Sequence, residues 1–215
     1  MSLRTRWFAG LAEQLGRPSG IRGRFIGLIL NRRNRTNVTV AVTALELTPG
    51  AVVADIGFGG GVGLEILLRA VGESGEVHGV DVSETMIAAG KRRFRREIAA
   101  DRLRLHSSSV MRLPFGDGCL DGAITVNTIY FIDDLDGACA ELGRVLKPSG
   151  RLVVGLTDPT AMAQAPYTAH GFRFRPVSEV IAALLKAGLT LETDRRVGRG
   201  AHAYHLLVTQ VAGPV

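Results

Sequence analysis

The stretch Val53-Ala54-Asp55-Ile56-Gly57-Phe58-Gly59-Gly60-Gly61-Val62-Gly63 decides how the rest of the chain is read. An apolar, strand-like run from Ala51 to Ala54 ends in an acid. A turn with glycine at 57, 59, 60, 61 and 63 follows, and an apolar-periodic helix then runs from Leu64 to Ala70. Glycine is needed where backbone takes positive φ or comes close to a ligand. A glycine-rich turn between strand and helix is where α/β proteins receive nucleotide-like ligands. The spacing narrows the choice of ligand. The dinucleotide fingerprint G-x-G-x-x-G requires a glycine three residues after its second. Counted from Gly57 and Gly59, that position is Val62, and the chain reads D-x-G-x-G-x-G from Asp55 instead.

Working outward, strand and helix signals alternate. Val77 to Asp81 reads as a strand, and Ser83 caps a helix running to about Ala99, with Glu84 suited to its dipole. Lys91, Arg92, Arg93, Arg95 and Arg96 mark its exposed face. Leu103–His106 and Leu120–Asn127 are two further strands, and Asp133–Leu146 is a helix. Lys147-Pro148-Ser149-Gly150 turns into a strand over Arg151–Leu156. Repeated β-α units imply a parallel sheet wound on both faces, with ligands at the carboxyl ends of its strands. The last third differs: a helix over Val177–Ala187 leads to Leu189–Val197 and Ala203–Val211, joined through Arg199-Gly200 as a hairpin.

A second acid extends the pattern. Asp81 stands at the tip of the second strand, where a carboxylate accepts hydrogen bonds from ribose hydroxyls. With D-x-G-x-G-x-G, Asp81 and the later segments in this order, residues 45–210 resemble the class I S-adenosylmethionine-dependent methyltransferases. The resemblance implies a doubly wound, Rossmann-like α/β sheet of seven strands, mostly parallel, with an antiparallel seventh strand inserted beside the sixth. It implies S-adenosylmethionine as cofactor and S-adenosylhomocysteine as product. In this family Gly57, Gly59 and Gly61 would let the backbone approach the methionine end, Asp55 would hold the loop, and Phe58 would line the pocket. Asp81 would take the ribose, and Val82 and Met86 would pack on the adenine. Ser109, before Leu113-Pro114-Phe115, stands where the family has an acid for the adenine amino group, and Val110 would offer its N–H to the ring. Asn127, in Thr125-Val126-Asn127-Thr128-Ile129-Tyr130-Phe131, would pass beside the transferable methyl.

Methyl transfer from a sulfonium is an in-line displacement of an activated group. It asks the protein mainly to align the reactants and exclude water, so the catalytic residues are less legible than the cofactor site. Tyr130 and His170 are the candidates, with Asp158 and Tyr167 behind them; His202 and His205, at odd separation on the last strand, face opposite ways. The Leu-Pro-Phe and Leu-Lys-Pro-Ser-Gly stretches resemble the small-molecule branch that includes quinone and phospholipid enzymes. The expected acceptor is thus a small or lipid-like molecule. A protein that binds the cofactor without transferring its methyl is a rival of another class. A nicotinamide-dependent oxidoreductase is disfavoured by Val62 and by the hairpin end of the sheet.

Composition sets the bounds. At 215 residues and 46% apolar content the chain can bury a single globular core. Cys119 and Cys139 form no C-x-x-C pair or disulfide framework, which points to the cytoplasm. The five histidines form no metal-ligand cluster, so no metal is expected. Residues 1–37 hold eight arginines (4, 6, 17, 22, 24, 32, 33 and 35) against Glu13, and the remainder is near neutral. That divides the chain into a basic N-terminal helical arm or lid, 1–47, and a methyltransferase domain, 48–215. The arm is either a solvated face or a peripheral contact for anionic lipid through residues 1–37. Nucleic acid is disfavoured because aromatic interleaving is absent. Monomer and homodimer both remain open.

Overall fold

A computed structural model of the protein describes residues 34–162, 173–198 and 203–212. Seven strands form one sheet: β1 (Val52–Ile56), β2 (Glu76–Asp81), β3 (Leu103–Ser107), β4 (Leu120–Val126), β5 (Leu146–Thr157), β6 (Leu189–Val197) and β7 (Tyr204–Val211). Their order is β3-β2-β1-β4-β5-β7-β6. The first five pair in parallel, while β7 runs antiparallel to both β5 and β6. This is the expected architecture, with the seventh strand between the fifth and sixth.

The helices explain why the inner strands read as unbroken apolar runs rather than alternating ones: both faces are covered. On one face lie α1 (residues 34–44), α2 (Val62–Ala70) and α3 (Glu84–Arg93). Val38, Ala41 and Val42, with Leu64, Leu67, Met86 and Ile87, pack there on Val53, Val77, Ile124, Val153 and Leu206. A short α4 (Arg95–Ala99) follows α3. On the other face α5 (Leu135–Arg144) and α7 (Val177–Lys186) set Leu135, Ala138, Leu142, Val180 and Leu184 against Ile56, Ala123, Leu152, Leu156 and Leu207. Between them, α6 (Pro159–Met162) leaves the end of β5. Residues 34–45 are thus part of the packed core, whereas residues 1–33 of the basic arm lie outside the described residues.

Three boundaries differ from expectation. The helix expected over Ser83–Ala99 is interrupted at Phe94, whose backbone leaves helical geometry (φ −107, ψ 29). Its ring is buried against the glycine turn, where a Cβ on Gly61 would meet Phe94 Cε2 at 2.9 Å. The Lys147–Gly150 turn lies inside β5 as a bulge: pairing jumps from Leu120–Leu146 to Gly122–Arg151. There Ser149 takes φ 80 and Gly150 leaves no room for a side chain, since a Cβ would lie 2.9 Å from the Lys147 carbonyl oxygen. The arm expected to be helical up to residue 47 leaves the helix at 44, and the chain turns through Glu46 at φ 50.

Candidate active site

The register brings the ends of β2, β1, β4 and β5 side by side. Asp55 pairs with Gly79 and Ile124, Ile56 with Val80, and Val126 with Gly155. The loops that leave this edge carry most of the candidates. After β1 the chain keeps one more ladder bond, from Gly57 N–H to the Val80 carbonyl (2.7 Å), then closes a turn from Gly61 N–H to the Phe58 carbonyl (2.9 Å). Asp81 ties this loop to the next helix. Its Oδ2 accepts from Gly59 N–H and its Oδ1 from Ser83 N–H, both at 2.8 Å. The helix cap itself is Ser83, whose Oγ accepts from Met86 N–H (3.3 Å). Asp81 is therefore not spent on the helix cap, and a carboxylate has about four lone-pair sites, so with the Gly59, Ser83 and Val82 N–H groups on it acceptor capacity is still left.

The two acids are electrically coupled. Burial pushes the Asp55 carboxyl up to about 8, and the negative charge of Asp81 adds to it. Asp55 is thus mostly protonated at neutral pH and can donate. Burial also raises Asp81, against the backbone N–H groups of Ser83, Gly59 and Val82 that hold its charge.

The glycines divide by what they face. A Cβ on Gly63 would lie 2.1 Å from Asp55 Oδ2, and one on Gly57 would lie 2.4 Å from Thr128 Oγ1. Those two glycines are required by packing inside the protein. Gly59 is different: among the described residues a Cβ there would find only the Gly57 carbonyl oxygen, at 4.0 Å. Its backbone borders open space next to the Asp81 carboxylate, the arrangement needed for a ligand to approach the main chain. The donor set of backbone N–H groups, Asp81 and an open glycine fits a ribose-bearing cofactor.

Beyond β4, Asn127 takes φ 60, a left-handed conformation that asparagine tolerates better than most residues. Its N–H donates to the Gly155 carbonyl (2.8 Å), and its Oδ1 accepts from the Tyr130 hydroxyl (3.5 Å). The same hydroxyl accepts from Thr157 N–H, tying the loop after β4 to the end of β5. Thr128 Oγ1 donates to the Ile56 carbonyl (3.3 Å), so the segment after β4 is tied to the end of β1.

The remaining candidates fall into three groups. Val82 is 41% exposed next to Asp81, where it can meet a ligand, and Val110 lies at the edge of the core. Phe58 and Met86 are buried; the Phe58 ring packs close to Gly79 and Gly90. Ser109 is exposed and its Oγ accepts from Met111 N–H (3.2 Å), a local turn bond. Asp158 is bound into a separate network: Oδ1 accepts from Thr160, and Oδ2 meets Arg196 Nη2 (3.0 Å) and His205 Nε2 (3.3 Å). Asp194 holds the other nitrogen of His205 (2.8 Å). His170, Tyr167 and His202 lie outside the described residues. Among the described residues no group of three or more His, Cys, Asp or Glu could hold a metal ion.

Sequence reasoning missed three residues at this edge. Thr128 acts through Gly57 and Ile56, far away in sequence, and Gly63 through the Asp55 carboxyl eight residues earlier and Ile124 on β4, contacts that a spacing pattern does not display. Tyr204 was signalled indirectly by Gly155, an isolated glycine in an apolar strand, since such a glycine often marks close approach of another group.

Residues 54–154 match the family described as a methyltransferase domain. A demethylmenaquinone methyltransferase of Desulfitobacterium hafniense is 32% identical over 122 residues, 56% of this chain and 48% of that protein. A 37.1 kDa protein of transposon Tn4556 from Streptomyces fradiae, uncharacterised, is 34% identical over 144 residues, 63% of this chain and 41% of its own length. The chain thus spans less than half the length of these two relatives. An S-adenosylmethionine-dependent methyltransferase structure from Aquifex aeolicus superposes with TM-score 0.69 at 22% identity, covering 95% of this chain and 98% of the other. Residues 54–154 thus match a methyltransferase domain, and the sheet order and the structural likeness show the Rossmann-like methyltransferase fold.

Proposed function

We propose that the protein transfers the methyl group of S-adenosylmethionine to a small-molecule acceptor. The observation that carries this reading is Asp81: its two oxygens hold the Gly59 and Ser83 N–H groups while the backbone at Gly59 borders open space. Bound there, S-adenosylmethionine supplies an electrophilic methyl on a sulfonium sulfur, whose C–S bond breaks as a lone pair of the acceptor takes the methyl. Asp81 accepts from the ribose hydroxyls, and the Gly57–Gly61 backbone receives the methionine end. Val82 and Val110 border the adenine, and Asn127 stands beside the methyl. Tyr130 orients Asn127 through its hydroxyl. These groups align and exclude water, which is most of what such a displacement requires. Calorimetric titration with S-adenosylmethionine and with NADH tests the reading: heat with the first alone supports it, and heat with NADH alone rejects it.

A second reading adds contact with a membrane surface. The arginines of residues 1–37 favour anionic headgroups, and among the described residues no helix is long and apolar enough to cross a membrane. The unpaired Cys119 and Cys139 suit the reducing cytoplasm. Sedimentation with phosphatidylglycerol vesicles, with and without residues 1–33, tests the membrane contact; equal binding of both forms would reject a role for the arm.

A further inference from the structure

Tyr204 opens β7 and belongs to the core layer on the α1–α3 face, at 3% exposure. Among the described residues its hydroxyl has no hydrogen-bond partner. A buried hydroxyl left unmatched destabilises a fold, and phenylalanine of the same shape would avoid that penalty. An orphan of this kind therefore asks for an explanation from its surroundings.

The surroundings are those of the methyl-transfer edge. The side chain lies over Gly155, where a Cβ would meet the Tyr204 hydroxyl oxygen at 2.7 Å and Cε1 at 3.2 Å. Gly155 is the residue whose carbonyl fixes the Asn127 N–H. Tyr204 also pairs with Thr157, whose N–H donates to the Tyr130 hydroxyl. Asn127, Tyr130 and Tyr204 thus gather where β4 and β5 end and β7 begins. The first two are bonded to each other and to the backbone; the third is not. Burial, with the neighbouring Tyr130 second, pushes the Tyr204 phenol well above its ordinary value. The group keeps its hydrogen and needs an acceptor for it.

We propose that the Tyr204 hydroxyl donates a hydrogen bond to an oxygen of the methyl acceptor, held over Gly155 beside Asn127. The acceptor is then an oxygen-bearing molecule of the phenol, hydroquinone or enolate class rather than an amine. The lone pairs decide between these. An amine nucleophile has a single lone pair, which goes to the methyl, and an ammonium has none to offer. A hydroxyl or enolate oxygen has more than one, so it can accept the Tyr204 hydrogen bond while it, or the carbon conjugated to it, attacks; the C–S bond breaks to leave the neutral thioether, and the proton displaced from a hydroxyl or ring carbon passes to water. Tyr204 is on this account a specificity-determining residue of the methyl-transfer site, and the inference rests on the methyl-donor reading given above.

The test compares wild type with Tyr204→Phe in three measurements: thermal melting, calorimetric titration with S-adenosylmethionine, and transfer of tritiated methyl. The acceptors are 1,4-naphthohydroquinone, catechol, ethyl acetoacetate and, as the amine control, phosphatidylethanolamine in detergent. The expected result is an unchanged or higher melting temperature and an unchanged Kd for S-adenosylmethionine. Turnover of at least one oxygen acceptor should accompany these, with kcat/KM lowered 10-fold or more in the variant, mainly through KM. Wild-type kcat/KM in Tyr204→Phe, turnover of the amine alone, or no turnover of any oxygen acceptor would overturn the proposal. So would a variant that melts well below wild type, because the hydroxyl would then be structural. Absence of S-adenosylmethionine binding in the wild type would instead overturn the donor reading, and this proposal with it.

Discussion

Gly63, in the first turn of α2, lies so close to Asp55 that a Cβ on it would stand 2.1 Å from Asp55 Oδ2 and 3.1 Å from Ile124 Cδ1. The motif's leading acid and a glycine two residues beyond the motif's end are therefore one structural unit. Gly63→Ala must displace a buried carboxyl or the strand beneath it, and is expected to lower stability by about 1–3 kcal/mol. Urea denaturation measures this. Because the clash is with the Asp55 side chain, Asp55→Ala should recover part of the loss, and a double-mutant cycle would show the coupling. Strict additivity of the two changes would refute the contact.

Asp55 also predicts a pH dependence. Its folded-state value is about 8, above the ordinary 3.8, so the folded protein holds a proton that the unfolded chain releases. Stability contributed by that proton is complete below about pH 4 and is lost as pH rises to about 8. Asp55→Asn should flatten the decline between pH 5 and 8 in denaturant melts. An unchanged slope in the variant would assign the decline to another group.

His78 works in the opposite direction. Burial first, then the charge of His106 and of Arg104, lower its value to about 4. It packs edge-on to Phe115 and its Nδ1 lies 3.1 Å from His106 Nε2. The unfolded chain takes up a proton near pH 6.5 that the folded form refuses until about pH 4, so stability falls as pH drops through that window. His78→Gln should remove on the order of 2 kcal/mol of that loss, read as a smaller shift of the urea midpoint between pH 7 and pH 4.5.

Gly59 separates packing from ligand contact. Its φ of 51 makes alanine unfavourable by about 1–2 kcal/mol, but among the described residues no atom comes closer to the new methyl group than the Gly57 carbonyl oxygen at 4.0 Å. Gly59→Ala is expected to fold, with a modestly lower melting temperature, and to bind S-adenosylmethionine at least 10-fold more weakly. Gly57→Ala, which drives a Cβ into Thr128, should instead lose mostly stability. Equal affinity of Gly59→Ala and wild type would place the ligand elsewhere.

The strand-turn-helix at Val53–Gly63 and the acid at Asp81 were legible because both depend on local order in the chain. The alternation of β and α units implied a parallel sheet and the final segments a hairpin, while the place of the last strand beside the sixth came from the family resemblance. The interruption at Phe94 was not legible, because what draws the ring in is the glycine turn more than thirty residues earlier. The bulge inside β5 read as a plain turn, since Lys-Pro-Ser-Gly shows the turn but not that the strand resumes its pairing with β4 on both sides of it. At the site, Ser109 illustrates the limit of reading by position. It occupies the expected place, yet its Oγ accepts from the Met111 N–H. Tyr204 and Thr128 lay beyond the pattern altogether, because each matters through a glycine on a different strand or loop.

The central claim is that Asp81 and the open backbone at Gly59 form the methyl-donor site. Calorimetric titration of wild type and Asp81→Ala with S-adenosylmethionine tests it most directly, with melting curves to show that the variant folds. Saturable binding by wild type and at least 100-fold weaker binding by a folded Asp81→Ala are expected. A folded variant that binds as tightly as wild type would contradict it.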